Sequence, residues 1–585
     1  MQQPLFTQQE VIAYGHHSWS ISGIGDVNGS GTGDVVIGCP RDLSVTFGLN
    51  GGSGMLVDGN GSIIRYVYGG NGDRLGVSAL GLGDCDGDGV PDFALGATQG
   101  DSVPGGRLNG YVAFYSGAST GNGAAQVIWK GITPTSSALN PDQFGKVLAA
   151  IGDWNGDGIS EILVGTPDGH NPPVYQQQGY VDVYDPVAVF AGNLTPLLHV
   201  SGPSPASQFG ISATSIPDLD GDSIPEFAVG AKTEPTGLGN SGTVRVYAGG
   251  TGTLLRVVSI DSDTFGTSVA GVKDINGDGK ADLAVGVPGY GLFKGRVVMI
   301  SGDWILTGNG VQTLATYKAA DVHPDFFNIN YDLFGFSMAN VGDRDNDGFD
   351  DLLVGAPFGP SWDPDTDPNW PSGSTLSGCG YVRLISSVDG GMLKAYRGEA
   401  ENDNFGYTVA NVGDLNQDGV PDFGIGAPRK SINVAEQGRS YFYSGDYTVG
   451  IAYGATSPNS VGAGAKIGAK GALSISHNTF RLTCSNLPPN SIGLFLLGNA
   501  ALTPPSPLHD GYLNVTATAG TSVLRFPAVS TGTGEVDYAV DFAVPPAASA
   551  TLIDSRLYFQ FWYRDAGFGP NESNLSDGLS AGFVN

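Results

Sequence analysis

The sequence has little positive charge and no long apolar run. Its 585 residues include 27 Lys and Arg against 57 Asp and Glu, which gives a formal net charge of −30. So few cations argue strongly against nucleic acid as a partner, because nucleic-acid affinity depends on Lys and Arg neutralising phosphates. No apolar run reaches the roughly 18 residues needed to cross a bilayer. The excess of carboxylates indicates that the ligands are cations instead.

Cysteine is also scarce. The sequence contains no CxxC pair and no cysteine spacing typical of a metal site among its four cysteines, Cys39, Cys85, Cys379 and Cys484. Cys39 and Cys85 could pair with each other. The favoured interpretation is that all four are buried thiols that behave as small hydrophobic residues.

Glycine and proline, by contrast, are abundant, with 93 and 35 residues, whereas only 14% of the residues are charged. This composition predicts many short strands joined by turns rather than helices, which would need runs of Ala, Leu, Glu and Lys. The expected fold class is therefore all-β. The chain is also too long for a single hydrophobic core, so several domains or one large repetitive domain are expected.

One unit recurs seven times along the chain. Its clearest copy, which begins at Phe405, reads FGYTVANVGDLNQDGVPDFGIGAP. The copy at His17 has lost the aromatic-glycine start, and the remaining copies begin at Leu75, Phe144, Phe209, Phe265 and Phe334. Each copy reads as an alternating strand, an acidic turn, an apolar strand ending in a VGAP-like tetrapeptide, and two further strands. This pattern predicts one four-stranded propeller blade per copy.

Seven copies predict a closed ring, because a lone blade cannot cover both of its faces. We expect a seven-bladed β-propeller over residues 1–455, a Gly/Ala/Ser-rich linker over 456–471 and a β-sandwich-like domain over 472–585. The fourth strand of the last blade is either TVGIAYG (448–454) or the segment LFTQQEVIAYG that precedes the first copy. The sequence leaves both possibilities open.

The Phe-Gly start, the DxxGDGxxD turn and the Gly-Ala-Pro end resemble the FG-GAP repeats of integrin α-subunit propellers and of many secreted bacterial proteins. The resemblance covers about three quarters of the chain. It implies that the acidic turns bind calcium on one face of the propeller and that partners bind the opposite face. No gap between copies could hold the inserted adhesion domain of some integrins, and no segment resembles the integrin leg domains or membrane anchor. A bacterial-type secreted protein is therefore the better comparison.

The acidic turns themselves predict calcium sites. Each presents oxygens at positions 1, 3, 5 and 9, and position 7 can add a backbone carbonyl, which suits the six to eight oxygens of Ca²⁺. In turn order the candidate ligands are Asp26, Asn28, Ser30, Thr32 and Asp34; Asp84, Asp86, Asp88, Val90 and Asp92; Asp153, Asn155, Asp157, Ile159 and Glu161; Asp218, Asp220, Asp222, Ile224 and Glu226; Asp274, Asn276, Asp278, Lys280 and Asp282; Asp343, Asp345, Asp347, Phe349 and Asp351; and Asp414, Asn416, Asp418, Val420 and Asp422.

We expect about seven calcium ions, or fewer if the first turn fails, because Asn28 and Ser30 leave that turn with two carboxylates. An EF-hand is excluded because position 12 of the second turn is Leu95 and a strand follows the turn. Acidic turns that bind nothing would explain the Asp and Gly content but not the repeated 1-3-5-9 register.

On the opposite face, the longest loop between strands is residues 358–380. It places Trp362 and Trp370 around Asp365, which suits a sugar ring or a protein hot spot. The segment 171–179 adds Tyr175 to this candidate ligand site, and the segment 318–333 adds further aromatic residues. The alternative is that the two tryptophans form a local core beneath their own loop.

The favoured function is a calcium-stabilised extracellular or cell-surface protein that binds a glycan or protein ligand without catalysis. Two alternatives stay open, namely a lyase-like polysaccharide-active enzyme and a structural subunit of an extracellular assembly. The seven histidines form no HExxH motif and no Ser-His-Asp order with a GxSxG elbow. An acid/base pair that involves His170 or His323 is a weaker possibility. The opening MQQPLFTQQE lacks the basic and apolar regions of a signal peptide, so if the protein is exported we expect Met1 to stand in place of a removed leader.

Overall fold

A computed structural model describes most of the chain. The described residues are 4–9, 17–42, 51–98, 110–121, 123–129, 142–169, 178–235, 242–260, 264–318, 331–345, 348–359, 378–417, 419–431, 437–445, 451–453, 458–462, 464–470, 481–498, 500–508, 511–516, 523–532, 534–541, 556–566 and 573–582. The strands, helices, contacts and burial of the structure are those of these residues.

The described residues form a nearly all-β structure with seven four-stranded antiparallel sheets, one for each sequence copy. Sheet 1 contains β2 Ser20–Gly25, β3 Asp34–Cys39, β4 Ser53–Val57 and β5 Ile63–Tyr68. Sheet 2 contains β6 Leu75–Gly83, β7 Asp92–Ala97, β8 Tyr111–Tyr115 and β9 Gln126–Trp129. Sheet 3 contains β10 Val147–Ala150, β11 Ile162–Thr166, β12 Tyr180–Tyr184 and β13 Leu198–Ser201.

The remaining four sheets repeat this order. Sheet 4 contains β14 Phe209–Ile216, β15 Glu226–Ala231, β16 Thr243–Tyr247 and β17 Leu254–Val258. Sheet 5 contains β18 Ser268–Val272, β19 Asp282–Val287, β20 Arg296–Ile300 and β21 Thr313–Lys318. Sheet 6 contains β22 Ser337–Gly342, β23 Asp351–Ala356, β24 Tyr381–Ser386 and β25 Met392–Arg397. Sheet 7 contains β26 Thr408–Gly413, β27 Asp422–Ala427, β28 Arg439–Tyr443 and β1 Phe6–Gln9.

The sheets are arranged in a ring. The first strand of each sheet lies against the first strand of the next, and β26 of sheet 7 lies against β2 of sheet 1. The first strands therefore line a common axis. Because each acidic turn joins a first strand to a second strand, all seven turns lie at the same end of these strands.

Sheet 7 is completed by the N-terminal segment. β1 pairs antiparallel with β28 in a register that places Phe6 opposite Phe442, and the two rings stack with centroids 4.6 Å apart. The other candidate segment, 448–454, belongs elsewhere, because its β29 Ile451–Tyr453 pairs with a C-terminal strand. The two open possibilities of the sequence are thus resolved in favour of the N-terminus.

Serine side chains fasten neighbouring sheets to one another. In the pattern FGxS, the Ser78 hydroxyl donates to the carbonyl of Gly145 in the next sheet at 2.7 Å, and Ser268 donates to Gly335 at 2.8 Å. The phenylalanine of this pattern is fully buried between sheets, as at Phe144. The first copy has His17 in that place, buried and 3.2 Å from the Cys39 thiol, and burial lowers the pKa of His17 to about 3.

The C-terminal region contains three further sheets. The six-stranded sheet comprises β29, β39 Ser573–Gly582, β38 Arg556–Arg564, β32 Ile492–Gly498, β35 Leu524–Arg525 and β36 Val529–Ser530. The other two comprise β30 Lys466–Lys470, β31 Arg481–Ser485 and β37 Val536–Ala539, and the pair β33 Ala500–Leu508 and β34 Gly511–Thr516. Phe495, Phe559 and Phe561 are fully buried in their core.

Part of the expected linker is a strand. Residues 466–470 form β30, which pairs with β31, and Ala465, Ile467 and Ala469 are buried in the same core. Their alternation has the period of a half-buried strand, and the small size of alanine conceals that period in the sequence. The prediction of a Gly/Ala/Ser-rich linker over 456–471 does not hold for these residues, which form a paired strand.

Three short helices interrupt the sheets, and they are α1 Pro186–Phe190, α2 Tyr290–Phe293 and α3 Gly302–Thr307. Within the described part of the chain, none of the helices has the length and apolar character required to span a membrane. All four cysteines are buried thiols, as expected.

Candidate metal sites

The first carboxylate of each acidic turn organises the turn backbone. In the second turn, Asp84 accepts hydrogen bonds from the N–H groups of Gly87 and Gly89, both at 2.8 Å. In the fourth turn, Asp218 accepts from Gly221 at 2.6 Å and from Ser223 at 3.0 Å. Ser223 replaces the usual glycine and adopts a left-handed backbone with φ 71°. The turn is thus folded around its first carboxylate by backbone donors.

The third and fifth positions accept hydrogen bonds in the same way. Asn155 accepts from the N–H of Asp157 at 2.9 Å, and Asp157 accepts from the N–H of Ile159 at 2.9 Å. Asn155 also donates through Nδ2 to the other oxygen of Asp157 at 3.0 Å, and both side chains are exposed to solvent. This arrangement directs the carboxylates of a turn towards one another.

The ninth position is different, because it opens the second strand and is fully buried in every sheet. Asp92 accepts from Cys85 N–H at 2.9 Å through one oxygen and from Gly117 N–H at 2.9 Å through the other. Burial raises the pKa of Asp92 to about 6, against the opposing effect of these hydrogen bonds. The same effect raises the pKa of Asp34 and of Asp282 to about 6.

In sheets 3 and 4 the ninth residue is a glutamate with an unsatisfied oxygen. Glu161 Oε2 accepts from Trp154 N–H at 2.5 Å, and Glu226 Oε2 accepts from Leu219 N–H at 2.6 Å. The Oε1 atom of each glutamate is buried and has no hydrogen-bond partner. A buried carboxylate oxygen without a donor is costly, which makes a cation a fitting partner.

Three turns bring carboxylate oxygens within 4.8 Å of one another. The groups are Asp218, Asp220, Asp222 and Glu226; Asp84, Asp86 and Asp88; and Asp343, Asp345 and Asp351. The first of these groups includes the glutamate with the unsatisfied oxygen. Two predicted ligands, Asp347 and Asp418, lie outside the described residues. These groups could hold a metal ion.

A further side chain, which was not predicted from the sequence, reaches the turn from the end of the third strand. In sheet 1 it is Asp58, whose Oδ2 accepts from Asn28 Nδ2 at 2.5 Å, and in sheet 3 it is Asp185, 3.3 Å from Asn155. The corresponding residues in sheets 2, 5 and 7 are serines, at Ser116, Ser301 and Ser444. In the sequence these residues are the middle ones of the tripeptides YSG, ISG, VDG and YDP, which recur at the end of the third strand.

Asp58 changes the expectation for the first turn. Burial disfavours its charged form, but hydrogen bonds from Asn60, Asn28 and the hydroxyl groups of the turn outweigh burial and lower its pKa. Asp26, Asp34 and Asp58 therefore supply three carboxylates where the turn alone has two. The first site is better provided with oxygens than its own turn indicates.

The predicted ligand-contact residues cannot be placed. Trp362, Trp370, Asp365 and Tyr175 lie outside the described residues, as does the central part of the segment 318–333. Of the aromatic residues in that segment, Tyr331 is described, exposed and 5.2 Å from the ring of Phe293.

The chain matches the FG-GAP repeat model at residues 209–247, 265–298 and 405–443. It is 28% identical to integrin alpha-5 of Xenopus laevis over 233 residues, and 31% identical to integrin alpha-4 of the same species over 220 residues. These alignments cover 38% and 35% of this chain and 20% of either relative, so the chain matches about a fifth of their length.

A solved structure of BBS1N in complex with ARL6DN, soaked with lead, aligns over 75% of this chain and 96% of that chain at 10% identity. Its TM-score of 0.41 is too low to inform the fold. The relationship to secreted bacterial proteins stays a prediction. The repeats, the ring of four-stranded sheets and the relatives together identify an integrin-α-like FG-GAP β-propeller.

Proposed function

We propose that the protein is a calcium-stabilised extracellular or cell-surface binding protein. The observation that carries the proposal is the fourth turn, where four carboxylates converge and the buried Oε1 of Glu226 has no hydrogen-bond donor. Burial raises the pKa of Glu226 to about 7, so the folded protein without a cation holds this group at an energetic cost. A bound cation removes that cost.

Calcium fits the turns better than magnesium does. Calcium accepts six to eight oxygens in flexible geometry, whereas magnesium requires a near-ideal octahedron and keeps several waters. The turns offer carboxylates, amide oxygens and a side chain from the third strand, with the ninth carboxylate fixed by the sheet. About seven ions would bind, one per turn. Sites of this kind fill at the millimolar calcium of extracellular fluids, which supports an extracellular location.

The ligand face of the propeller is assigned to the end opposite the acidic turns. Binding residues collect on loops that a rigid scaffold positions. We assign Trp362, Trp370, Asp365 and Tyr175 to ligand contact, with a glycan or protein as the ligand. We propose a propeller that begins with β1 and ends with β28, and a β-sandwich-like C-terminal domain that includes β29 and β30 as well as residues 472–585, because β29 pairs with β39 and β30 pairs with β31. The similarity to integrin alpha subunits supports this proposal.

The test is a thermal unfolding and calorimetric titration of the calcium-stripped protein. Calcium should raise the melting temperature and bind at several sites, and magnesium at the same concentration should stabilise less. Glu226→Gln should lower the number of ions bound, whereas Glu401→Gln, at an exposed residue of the opposite end, should not. A melting temperature that is the same in excess EDTA and in calcium would reject the proposal.

A further inference from the structure

The end of the ring axis opposite the acidic turns carries an aromatic and basic cluster that the repeat itself does not explain. The residue after each Phe-Gly pair stands beside the start of a first strand, so these residues from different sheets meet at the axis. We call this cluster the axial mouth and define it by Trp19, Lys146, Phe336 and Tyr407, each the third residue of its copy, together with Arg74, just before the second copy, and Lys232, just after β15.

Three aromatic rings form one side of the axial mouth. The Tyr407 ring lies 4.7 Å from the Trp19 ring and 5.1 Å from the Phe336 ring, centroid to centroid, with interplanar angles near 49° and 48°. All three side chains are partly exposed. They come from sheets 1, 6 and 7, which are neighbours around the closure of the ring. Partly exposed aromatic rings offer apolar surface against which a ligand can pack.

Three cations form the other side. The ammonium of Lys146 lies 5.7 Å from the centroid of the Trp19 ring, and Lys232 and Arg74 lie close enough to repel it. The opposing charge is Asp168, which accepts a hydrogen bond from Gln143 at 2.5 Å. Lys232 and Arg74 are cations and Asp168 is a carboxylate among the described residues that act electrostatically on Lys146, in a chain whose formal net charge is −30.

Burial is the largest cause that lowers the pKa of Lys146, to about 8, and Lys232 and Arg74 add to it while Asp168 opposes it. An anion placed in the mouth would stabilise the ammonium. A cationic ligand on the Trp19 ring would be repelled by the ammonium of Lys146, which already lies against that ring. A ligand that has both an acidic group and an apolar face would contact both the cations and the aromatic rings of the cluster.

We propose that the axial mouth binds a sugar that carries a carboxylate, with the acid group on Lys146, Lys232 and Arg74 and the sugar ring against Trp19, Phe336 and Tyr407. The C–H groups on the face of a pyranose complement the negative face of an aromatic ring. A carboxylate gains charge-assisted hydrogen bonds from ammonium and guanidinium groups. The acidic side chain of a peptide would use the cations but not the rings.

This inference rests on the proposed binding function and adds a ligand class and a second site to it. The two can fail separately, because the calcium test does not involve the axial mouth. Binding should therefore be measured in saturating calcium, with the melting temperature recorded for every sample.

The probes are cellobiouronate, cellobiose and a glutamate with blocked ends. Cellobiose differs from the first probe only in having a hydroxymethyl group in place of the carboxylate, and the blocked glutamate carries a carboxylate without a sugar. In ligand-observed NMR or calorimetry, cellobiouronate should bind about tenfold or more tightly than either control, since only it makes both charge-assisted hydrogen bonds and ring contacts. Binding should weaken between pH 7 and pH 9 as Lys146 loses its proton.

Lys146→Gln and Trp19→Ala should each weaken cellobiouronate binding about tenfold. Lys466→Gln, at an exposed residue of the C-terminal sheets, should leave it unchanged. If a variant does not fold, the pH dependence of cellobiouronate binding to the unmodified protein still tests the proposal. The proposal is overturned by equal binding of cellobiouronate and cellobiose, by blocked glutamate binding as tightly as the sugar acid, or by no binding of cellobiouronate to the calcium-loaded protein.

Discussion

The carbonyl oxygen of Gly145 lies against the Cα of Gly96, where the Cβ of any other residue at position 96 would stand. Gly145 belongs to the Phe-Gly pair of sheet 3, and Gly96 precedes the end of the second strand of sheet 2. Gly145 itself has φ 83°, a conformation that only glycine adopts without strain. The glycines of the FG and GAP motifs are therefore the two halves of one contact between neighbouring sheets.

The first prediction concerns this contact. Gly96→Ala should destabilise the protein by about 3 kcal/mol or more, because a rigid carbonyl occupies the space and neither strand can move alone. Gly123→Ala is the matched control, since no atom lies within 4 Å of the Cβ that it would add. Chemical denaturation of both variants in calcium measures the difference. If the Gly96→Ala protein were as stable as the Gly123→Ala control, the close contact between Gly96 and Gly145 would not be needed for stability.

The second prediction is that, without calcium, the stability of the folded protein decreases as the pH rises from 4 to 7. The folded protein holds Asp34, Asp92 and Asp282 with pKa values raised to about 6, and Glu226 to about 7. Between pH 4 and pH 7 the folded state then binds more protons than the unfolded state, so stability falls as the pH rises. In EDTA the melting temperature should be higher at pH 5 than at pH 7.5.

Saturating calcium should remove or reverse this trend, because the ion favours the charged carboxylates. The measurement is a series of thermal scans across this pH range with and without calcium. A melting temperature in EDTA that rises with pH would contradict the raised pKa values.

The third prediction concerns the residue that the third strand contributes. Asp58→Asn should weaken calcium binding at the first turn by about tenfold or more, because one of three carboxylates is removed. Asp537→Asn, which alters a half-exposed ion pair with Arg481 in the C-terminal sheets, should not change calcium binding. Calorimetry should show one ion fewer at low calcium for the first variant alone. An unchanged stoichiometry and affinity would exclude Asp58 as a ligand.

The fourth prediction concerns the strand that closes the ring. Phe6→Ala removes the ring that stacks on Phe442 and should destabilise the protein by about 2 kcal/mol. Leu254→Ala, at a side chain that is 44% exposed, should cost less than about 1 kcal/mol. Denaturant midpoints compare the two. Equal midpoints would mean that β1 adds little to the closure.

Much of the propeller could be predicted because each copy carries the same local information. The Asp84 turn is folded by hydrogen bonds within five residues, so its register is visible in the sequence. The strands beside it follow from apolar alternation. Asp58 could not be assigned to the first turn in this way, because it approaches Asn28 from 30 residues away. Its position depends on the pairing of β3 with β4.

The axial mouth was not predicted for the same reason. Trp19, Lys146 and Tyr407 come from three different sheets, and only the ring brings them together. The choice of the closing strand depended on competition between two similar segments. In the structure β29 pairs with β39, which leaves the edge of β28 for β1.

β1 pairs with β28, so residues 6 and 442 lie side by side although they are far apart in the sequence. During synthesis, sheet 7 therefore cannot form until β28 has been made. At a synthesis rate of about 5–20 residues per second, the first strand waits for roughly 20 to 90 seconds before its partner exists. During that interval the first six sheets can form in order from the N-terminus, but the ring stays open and an apolar edge is exposed. Closure of the ring is then a late event, because it requires β28, which is synthesised after the first six sheets.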